Sequence, residues 1–193
     1  DIGAGPAHFS KLLGKFNHFS TDFDNYSGID FLTDLNKAFP VKSESLDIVL
    51  ASNVLEHIAE PLKLLSECFR VLKQRGRLII TVPFLIKIHQ APYDYHRYTE
   101  FMLDRMFREV GFKEFSIERI GNVISVNEVV RRAYIKHMIN GLSSGGIKLR
   151  AIIYLFRLSS FLDRCSISIG GKRLEDSEDT LGYPQGYGCV AIK

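Results

Sequence analysis

The sequence predicts an α/β fold. Three observations carry this. Over the first 120 residues, short apolar runs alternate with helical patterns. Two of the runs, at 46–52 and 77–82, read as buried strands, the first as the continuous apolar run of a parallel-sheet strand buried on both faces. The chain also opens on a strand end that turns through glycines toward a helix, Asp1-Ile2-Gly3-Ala4-Gly5-Pro6-Ala7.

Taken in order, Asp1-Ile2 is the stub of a first strand, and residues 7–14 form a short helix. Residues 16–22 give a weak second strand and 29–34 a short third one. Residues 46–52 are the next strand. A helix follows over 60–73, with Pro61 at its start and Leu62, Leu65, Phe69 and Leu72 on its inner stripe. Lys73, Arg75 and Gly76 close it. Residues 77–82 are a buried strand, and an irregular loop runs from Pro83 to about Tyr98. Thr99 caps a helix to Val110 whose stripe is Met102, Leu103, Met106, Phe107 and Val110, and Gly111 ends it. Residues 112–120 alternate as a strand, and 187–193 close the sheet. This divides the chain into an α/β core at 1–120, an insertion at 121–186 with helical patterns near 122–140 and 147–165, and a closing strand at 187–193.

Composition excludes several classes. The chain has 193 residues, 46% hydrophobic and 24% charged, which is ordinary for a globular domain and unlike disordered, collagenous or disulfide-scaffold chains. The net charge of +3 does not by itself argue for nucleic acid, and no nucleic-acid partner is expected. Cys68, Cys165 and Cys189 are scattered, with no ligand spacing to a histidine. This predicts no metal and a reducing, cytoplasmic compartment. No run of 18 apolar residues is present. The opening at Asp1, inside a motif and without an initiator Met, reads as an N-terminally truncated fragment.

The glycines let backbone approach a ligand closely, and amides at a helix start face it. His8 stands where a dinucleotide fingerprint ends in glycine, and Asp1 where that fingerprint has an apolar residue. Asp22 follows at the end of the second strand, a place from which a carboxylate accepts hydrogen bonds from ribose hydroxyls. Asp34 is a second acid beyond the third strand. Each aspartate also suits a turn or helix cap.

These residues, with SLDIVLASNVLEHI at 45–58 and ECFRVLKQRGRLIITVPF at 67–84, resemble class I S-adenosylmethionine-dependent methyltransferases, most of all the type 11 group. The resemblance covers about residues 1–120. HQAPYDYHRYT at 89–99 is similar to a stretch of a subgroup often associated with surface-glycan biosynthesis. The resemblance implies a Rossmann-like, mostly parallel sheet with an antiparallel last strand, and S-adenosylmethionine as cofactor. It places Gly3 and Gly5 under the methionine part of the cofactor, Asp1 near its ammonium and Asp22 on the ribose. Asp34, with Leu35, faces the adenine, and Ser52 and Asn53 line the other side. Ala7 departs from the family's glycine, and the short span from Asp22 to Asp34 leaves Asp24 or Asp30 open for an acidic role.

Methyl transfer from a sulfonium is an in-line displacement, so the protein has mainly to align the reactants and exclude water. A base is needed where the acceptor is a poorly ionised hydroxyl or a carbon acid. His57, His89, Asp94 and His96 are the catalytic candidates, at the carboxyl edge where open α/β sheets bind ligands. Tyr93, Tyr95 and Tyr98 are alternatives as base. Tyr93, Tyr95 and Arg97 form a substrate wall, with Arg97 suited to an anionic or polyhydroxyl acceptor. Glu56 and His57 equally suit the start of the next helix, and Asp94 and Arg97 equally suit a pair that fixes the loop.

Residues 123–165 carry a net +5, against −1 for residues 1–122. Arg150, Arg157 and Arg164 recur every seven residues, with Ile152, Leu155, Phe156 and Leu162 facing away. This reads as an amphipathic helix with a solvated face, or one in peripheral contact with an anionic membrane through 147–165. The insertion is expected to cover the substrate, with Gly145-Gly146 and Gly170-Gly171 as hinges. The expected function is O-methylation of a small-molecule or glycan-precursor acceptor. The alternatives are a lipid-like or quinone-precursor acceptor and a non-catalytic methyltransferase-like binding protein. A nicotinamide oxidoreductase fits less well. The sequence leaves the oligomeric state open.

Overall fold

A computed structural model describes residues 1–6, 9–141, 154–155, 158 and 181–193. The elements are α1 (Ser10–Leu13), β1 (Thr21–Asp22), β2 (Phe31–Leu32), β3 (Leu46–Ser52), a 3₁₀ turn (Leu55–His57), α2 (Pro61–Val71), β4 (Leu72–Pro83), α3 (Glu100–Val110), β5 (Glu114–Ile120), α4 (Val123–Gly141) and β6 (Gly186–Ile192). The chain separates into two compact units, Asp1–Glu118 with Gly186–Lys193, and Arg119–Gln185.

The first unit is an α/β sheet structure. β1 and β2 pair in parallel, β3 and β4 pair in parallel, and β6 lies antiparallel to β4 and next to β5. Ile2 joins the two groups, bridging Thr21 on one side and Ala51 on the other, both in parallel. A single buried residue of the opening stub thus sits mid-sheet, and the motif that follows it emerges at the strands' carboxyl edge. β1 and β2 are two residues each, shorter than the runs at 16–22 and 29–34. Phe16 and Phe19 are exposed.

The helix expected over 60–73 ends earlier, at Val71. Leu72 is fully buried and extended, and it pairs with Leu46, so strand begins directly where helix stops. Gly76 therefore serves the sheet rather than a helix cap. A Cβ there would stand 2.8 Å from the Lys73 carbonyl and 3.2 Å from that of Leu46. The buried face of α2 is Leu64, Leu65, Cys68 and Val71, while Leu62 and Phe69 pack at its margin. β3 is wetter than its composition suggests. Ile48 is 48% exposed, and Asp47 pairs with Lys73 in solvent at 2.9 Å. α3 starts and stops as expected: the Thr99 hydroxyl accepts from Met102 N, and Gly111 takes the left-handed conformation at φ 113°. Leu103, Met106 and Phe107 are buried, and Phe107 meets Phe112 and Phe115 ring to ring.

In the second unit Asn122 caps α4, its side-chain oxygen accepting from Ile124 N and Ser125 N. Gln185 N donates to the Ile120 carbonyl, and its amide donates to that of Ser125. Most of the pattern at 147–165, with the stripe of Arg150, Arg157 and Arg164, lies outside the described residues, as do Ala7, His8 and both glycine pairs. No described helix is long and apolar enough to cross a membrane.

Glu67 ties the segment before β3 to α2. Its carboxylate accepts from Phe39 N at 2.8 Å and from Arg70 twice, and Arg70 also donates to the Phe39 and Val41 carbonyls. The Arg70 hydrogen bonds hold the Glu67 carboxyl below its ordinary pKa. A depressed folded pKa contributes stability above the unfolded value that is lost as pH falls through the folded one. We expect Glu67→Gln to cost about 1–3 kcal/mol in urea unfolding at neutral pH. The gap to wild type should shrink in acid below the usual glutamate range.

Candidate active site

The opening loop is shaped by two glycines in the left-handed region, Gly3 at φ 60° and Gly5 at φ 54°. They need glycine for different reasons. A Cβ on Gly3 would lie 2.5 Å from a Val54 methyl carbon, so the loop is packed against the turn after β3. A Cβ on Gly5 would meet nothing within 4 Å, so the demand there is conformational and the space beside it is open. Asp22, at the end of β1, fixes the loop: its Oδ2 accepts from Gly5 N at 2.8 Å and its Oδ1 from Asp24 N at 3.1 Å. Each oxygen keeps a lone pair for a further donor. Asp1 Oδ2 and the Thr21 hydroxyl are buried without a hydrogen-bond partner among the described residues.

The other acids nearby are engaged differently. Asp30 accepts from Ser20 N at 2.6 Å and from the Ser20 hydroxyl at 2.9 Å, which lowers its pKa. Asp34 accepts from the Asn36 backbone and side chain and pairs with Lys37 at 3.2 Å, and the Asn36 backbone bond is the main cause of its lowered pKa. Leu35 beside it is buried. Asp24 is exposed.

Ser52 and Asn53 end β3. The Ser52 hydroxyl is 2.9 Å from that of Thr81, and Asn53 N donates to the Thr81 carbonyl at 2.9 Å. Asn53 has φ 52°, a conformation asparagine tolerates better than most residues, and its side chain is exposed.

Beyond Asn53 the 3₁₀ turn buries Glu56 completely. Neither carboxylate oxygen has a hydrogen-bond partner among the described residues, and burial raises the pKa to about 7. His57 Nε2 and His89 Nε2 each lie 3.6 Å from Glu56 Oε1, and the two rings meet edge to face at 4.7 Å. Sequence reasoning singled out both histidines and missed Glu56, because a glutamate next to a turn looks like a solvated helix start. The apolar residues around it, Val54, Leu55 and Ile58, were the available signal.

The loop after β4 packs onto this turn. The Glu56 carbonyl accepts from Tyr95 N at 2.9 Å and His96 N at 3.3 Å, and the buried Tyr98 hydroxyl donates to the Leu55 carbonyl at 3.0 Å. Burial pushes the Tyr98 pKa up, so this phenol stays protonated. Asp94 accepts from Arg97 at 2.6 and 2.7 Å and from His89 N at 2.9 Å. The Arg97 hydrogen bonds hold its carboxyl far below the usual range. Arg97 also donates to the His96 carbonyl at 2.7 Å, so its guanidinium is engaged within the loop. His96 Nε2 is buried and unpartnered, and its ring lies 5.4 Å from that of Tyr98. Tyr93 and Tyr95 are exposed, at 62% and 48%.

Comparison with known proteins agrees with this geometry. A family described as methyltransferase domain matches residues 1–80. An uncharacterized methyltransferase of Mycolicibacterium vanbaalenii is 27% identical over 100 residues, 42% of this chain and 37% of that protein. An uncharacterized protein of Methanocaldococcus jannaschii is 30% identical over 129 residues, 58% of this chain and 63% of that protein. The matched stretch thus spans well under half the length of the first of these relatives. Residues 1–80 match a methyltransferase domain, and the chain is similar to class I S-adenosylmethionine-dependent methyltransferases of the type 11 group. Its fold is that of such enzymes. The methyltransferase from Archaeoglobus fulgidus superposes with a TM-score of 0.62 at 18% identity, over 100% of this chain and 84% of that one. Phosphoethanolamine N-methyltransferase 2 of Haemonchus contortus, in complex with S-adenosylmethionine, gives 0.59 at 16% identity, over 100% of this chain and 47% of that one.

The Gly3–Val54 contact offers a test of the methyltransferase loop. Gly3→Ala should destabilise by about 2–4 kcal/mol, from the clash and the positive φ together. Adding Val54→Ala removes the clash alone. The double variant should then be about 1–2 kcal/mol more stable than the two single losses predict, measured by chemical unfolding.

Proposed function

We propose that this protein transfers the methyl group of S-adenosylmethionine to a hydroxyl of a small-molecule or glycan-precursor acceptor. The observation that carries the reading is the Asp22 carboxylate clamped onto Gly5 N, beside open space at the carboxyl edge of the sheet. The residues present fit the cofactor: buried Asp1 Oδ2 has no partner among the described residues and suits an ammonium, and Asp22 retains lone pairs for ribose hydroxyls. Gly3 and Gly5 shape the loop for the methionine part. Asp34 and Leu35 flank the adenine, and Ser52 and Asn53 line the remaining side.

S-adenosylmethionine supplies a methyl group already activated on a sulfonium. The chain's own residues bind, orient and accept a proton. An acceptor hydroxyl must lose its proton as it attacks, and His57, His89 and His96 are the groups placed to take it. Asp94 orients His89, its Oδ2 lying 3.3 Å from Nδ1. Arg97 acts through Asp94, which leaves acceptor contact to the exposed rings of Tyr93 and Tyr95.

Calorimetric titration of S-adenosylhomocysteine into the protein tests the cofactor half. We expect micromolar binding, weakened at least about tenfold by Asp22→Ala, the loss of one charge-assisted contact set. Absence of binding to folded protein would remove the reading. Binding without turnover on any hydroxylated acceptor would favour the non-catalytic alternative.

A further inference from the structure

We propose that Glu56, His57 and His89 form a binding site for a divalent first-row metal ion. The three side chains each offer a ligand atom, and these atoms all lie within 4.8 Å of one another. Glu56 Oε1 is 3.6 Å from Nε2 of both rings. That separation is too long for a hydrogen bond. It is close to the spacing of ligands around one ion whose bonds are about 2.0–2.2 Å.

The protonation of the rings follows from their far sides. His57 Nδ1 is 2.9 Å from the Tyr93 carbonyl, which can only accept, so Nδ1 carries the hydrogen and Nε2 presents a lone pair. His89 Nδ1 faces the Asp94 carboxylate at 3.3 Å, which favours the same tautomer. Both Nε2 atoms then lie 3.6 Å from a carboxylate oxygen that has no hydrogen-bond partner among the described residues. With the carboxyl ionised, these are three acceptors in a buried spot, an arrangement that a cation among them stabilises. The nearby cation does not fill that role, because the Arg97 guanidinium is held by Asp94 in a bidentate pair.

The outer contacts match a metal centre as well. Metal-bound histidines commonly donate their other ring N–H to a carbonyl or carboxylate; His57 Nδ1 does so to the Tyr93 carbonyl, and His89 Nδ1 lies 3.3 Å from the Asp94 carboxylate without a hydrogen bond. Two imidazoles and one carboxylate, with no thiolate, select zinc, iron(II), cobalt(II) or manganese(II) over calcium or copper(I). Three protein ligands leave coordination positions open. The 3₁₀ turn comes two residues after β3 and His89 lies in the loop after β4, which puts the cluster at the same sheet edge as the glycine loop. A metal there would bind the acceptor oxygen and lower the pKa of its hydroxyl. That role rests on the methyl-transfer reading, whereas metal binding does not.

The test is titration of Co²⁺ into chelator-treated full-chain protein, followed by visible absorption and by displacement with Zn²⁺. We expect one equivalent to bind with micromolar affinity. His57→Gln, His89→Gln and Glu56→Gln should each weaken binding at least about tenfold, the scale on which even outer-shell losses act. X-ray absorption of the Zn²⁺-loaded wild type needs no variant and should count two imidazoles. No binding to folded wild type, binding unchanged in all three variants, or a zinc shell without imidazole would each overturn the proposal. S-adenosylhomocysteine titrated in the presence of chelator separates the two questions: retained cofactor binding with no metal uptake removes the metal site alone.

Discussion

Much of the molecule depends on how β3 and β4 end. Their parallel register runs from Ile48 opposite Arg77 to Ser52 opposite Thr81, so the two strands finish level. The Ser52–Thr81 hydroxyl contact and the bond from Asn53 N to the Thr81 carbonyl lock that end. Both following segments therefore leave from one edge. A slip of one residue would turn Val49 and Ala51, both buried, toward the opposite face and carry the Leu55–His57 turn with them. The glycine loop belongs to the same edge because Ile2 is the residue that bridges β1 and β3.

The second constraint is the join between the 3₁₀ turn and the loop after β4. A turn of three residues leaves carbonyls free to accept from outside it. That of Glu56 accepts from the Tyr95 and His96 N–H groups, and that of Leu55, which also accepts from Ile58 N, takes the Tyr98 hydroxyl. These bonds hold an otherwise irregular loop, and they seat its histidines next to Glu56. Asp94 and Arg97 complete the loop from within. The loop is thus fixed both by backbone groups at Tyr95 and His96 and by the side chains of Asp94, Arg97 and Tyr98.

The strands at 46–52 and 77–82, the helix capped by Thr99 and ended by Gly111, and the glycine loop with Asp22 were all legible, because each depends on local pattern. The end of α2 was not. Leu72 reads as the last apolar residue of a helical stripe, and only its pairing with Leu46, 26 positions earlier, makes it strand. β1 and β2 shrank for a related reason: Phe16 and Phe19 look like strand interior, yet nothing covers them among the described residues. In the site, the residue types were readable but the partnerships were not. Glu56 and His89 are 33 positions apart, and no spacing rule for metal or catalytic ligands reaches across a strand and a helix.

The buried glutamate links stability to chemistry. An unpartnered carboxylate in an apolar turn is costly, and a domain built only to fold would replace it with glutamine or leucine. Glu56 is held there by backbone bonds on its own carbonyl and flanked by two histidines whose outer nitrogens face a carbonyl and a carboxylate. Asp22 holds the glycine loop through Gly5 N and keeps lone pairs for further donors, and the Glu56 cluster likewise has lone pairs left over on its inner side. In the proposed reading the first group serves the cofactor, and the second serves the metal or proton that the acceptor requires.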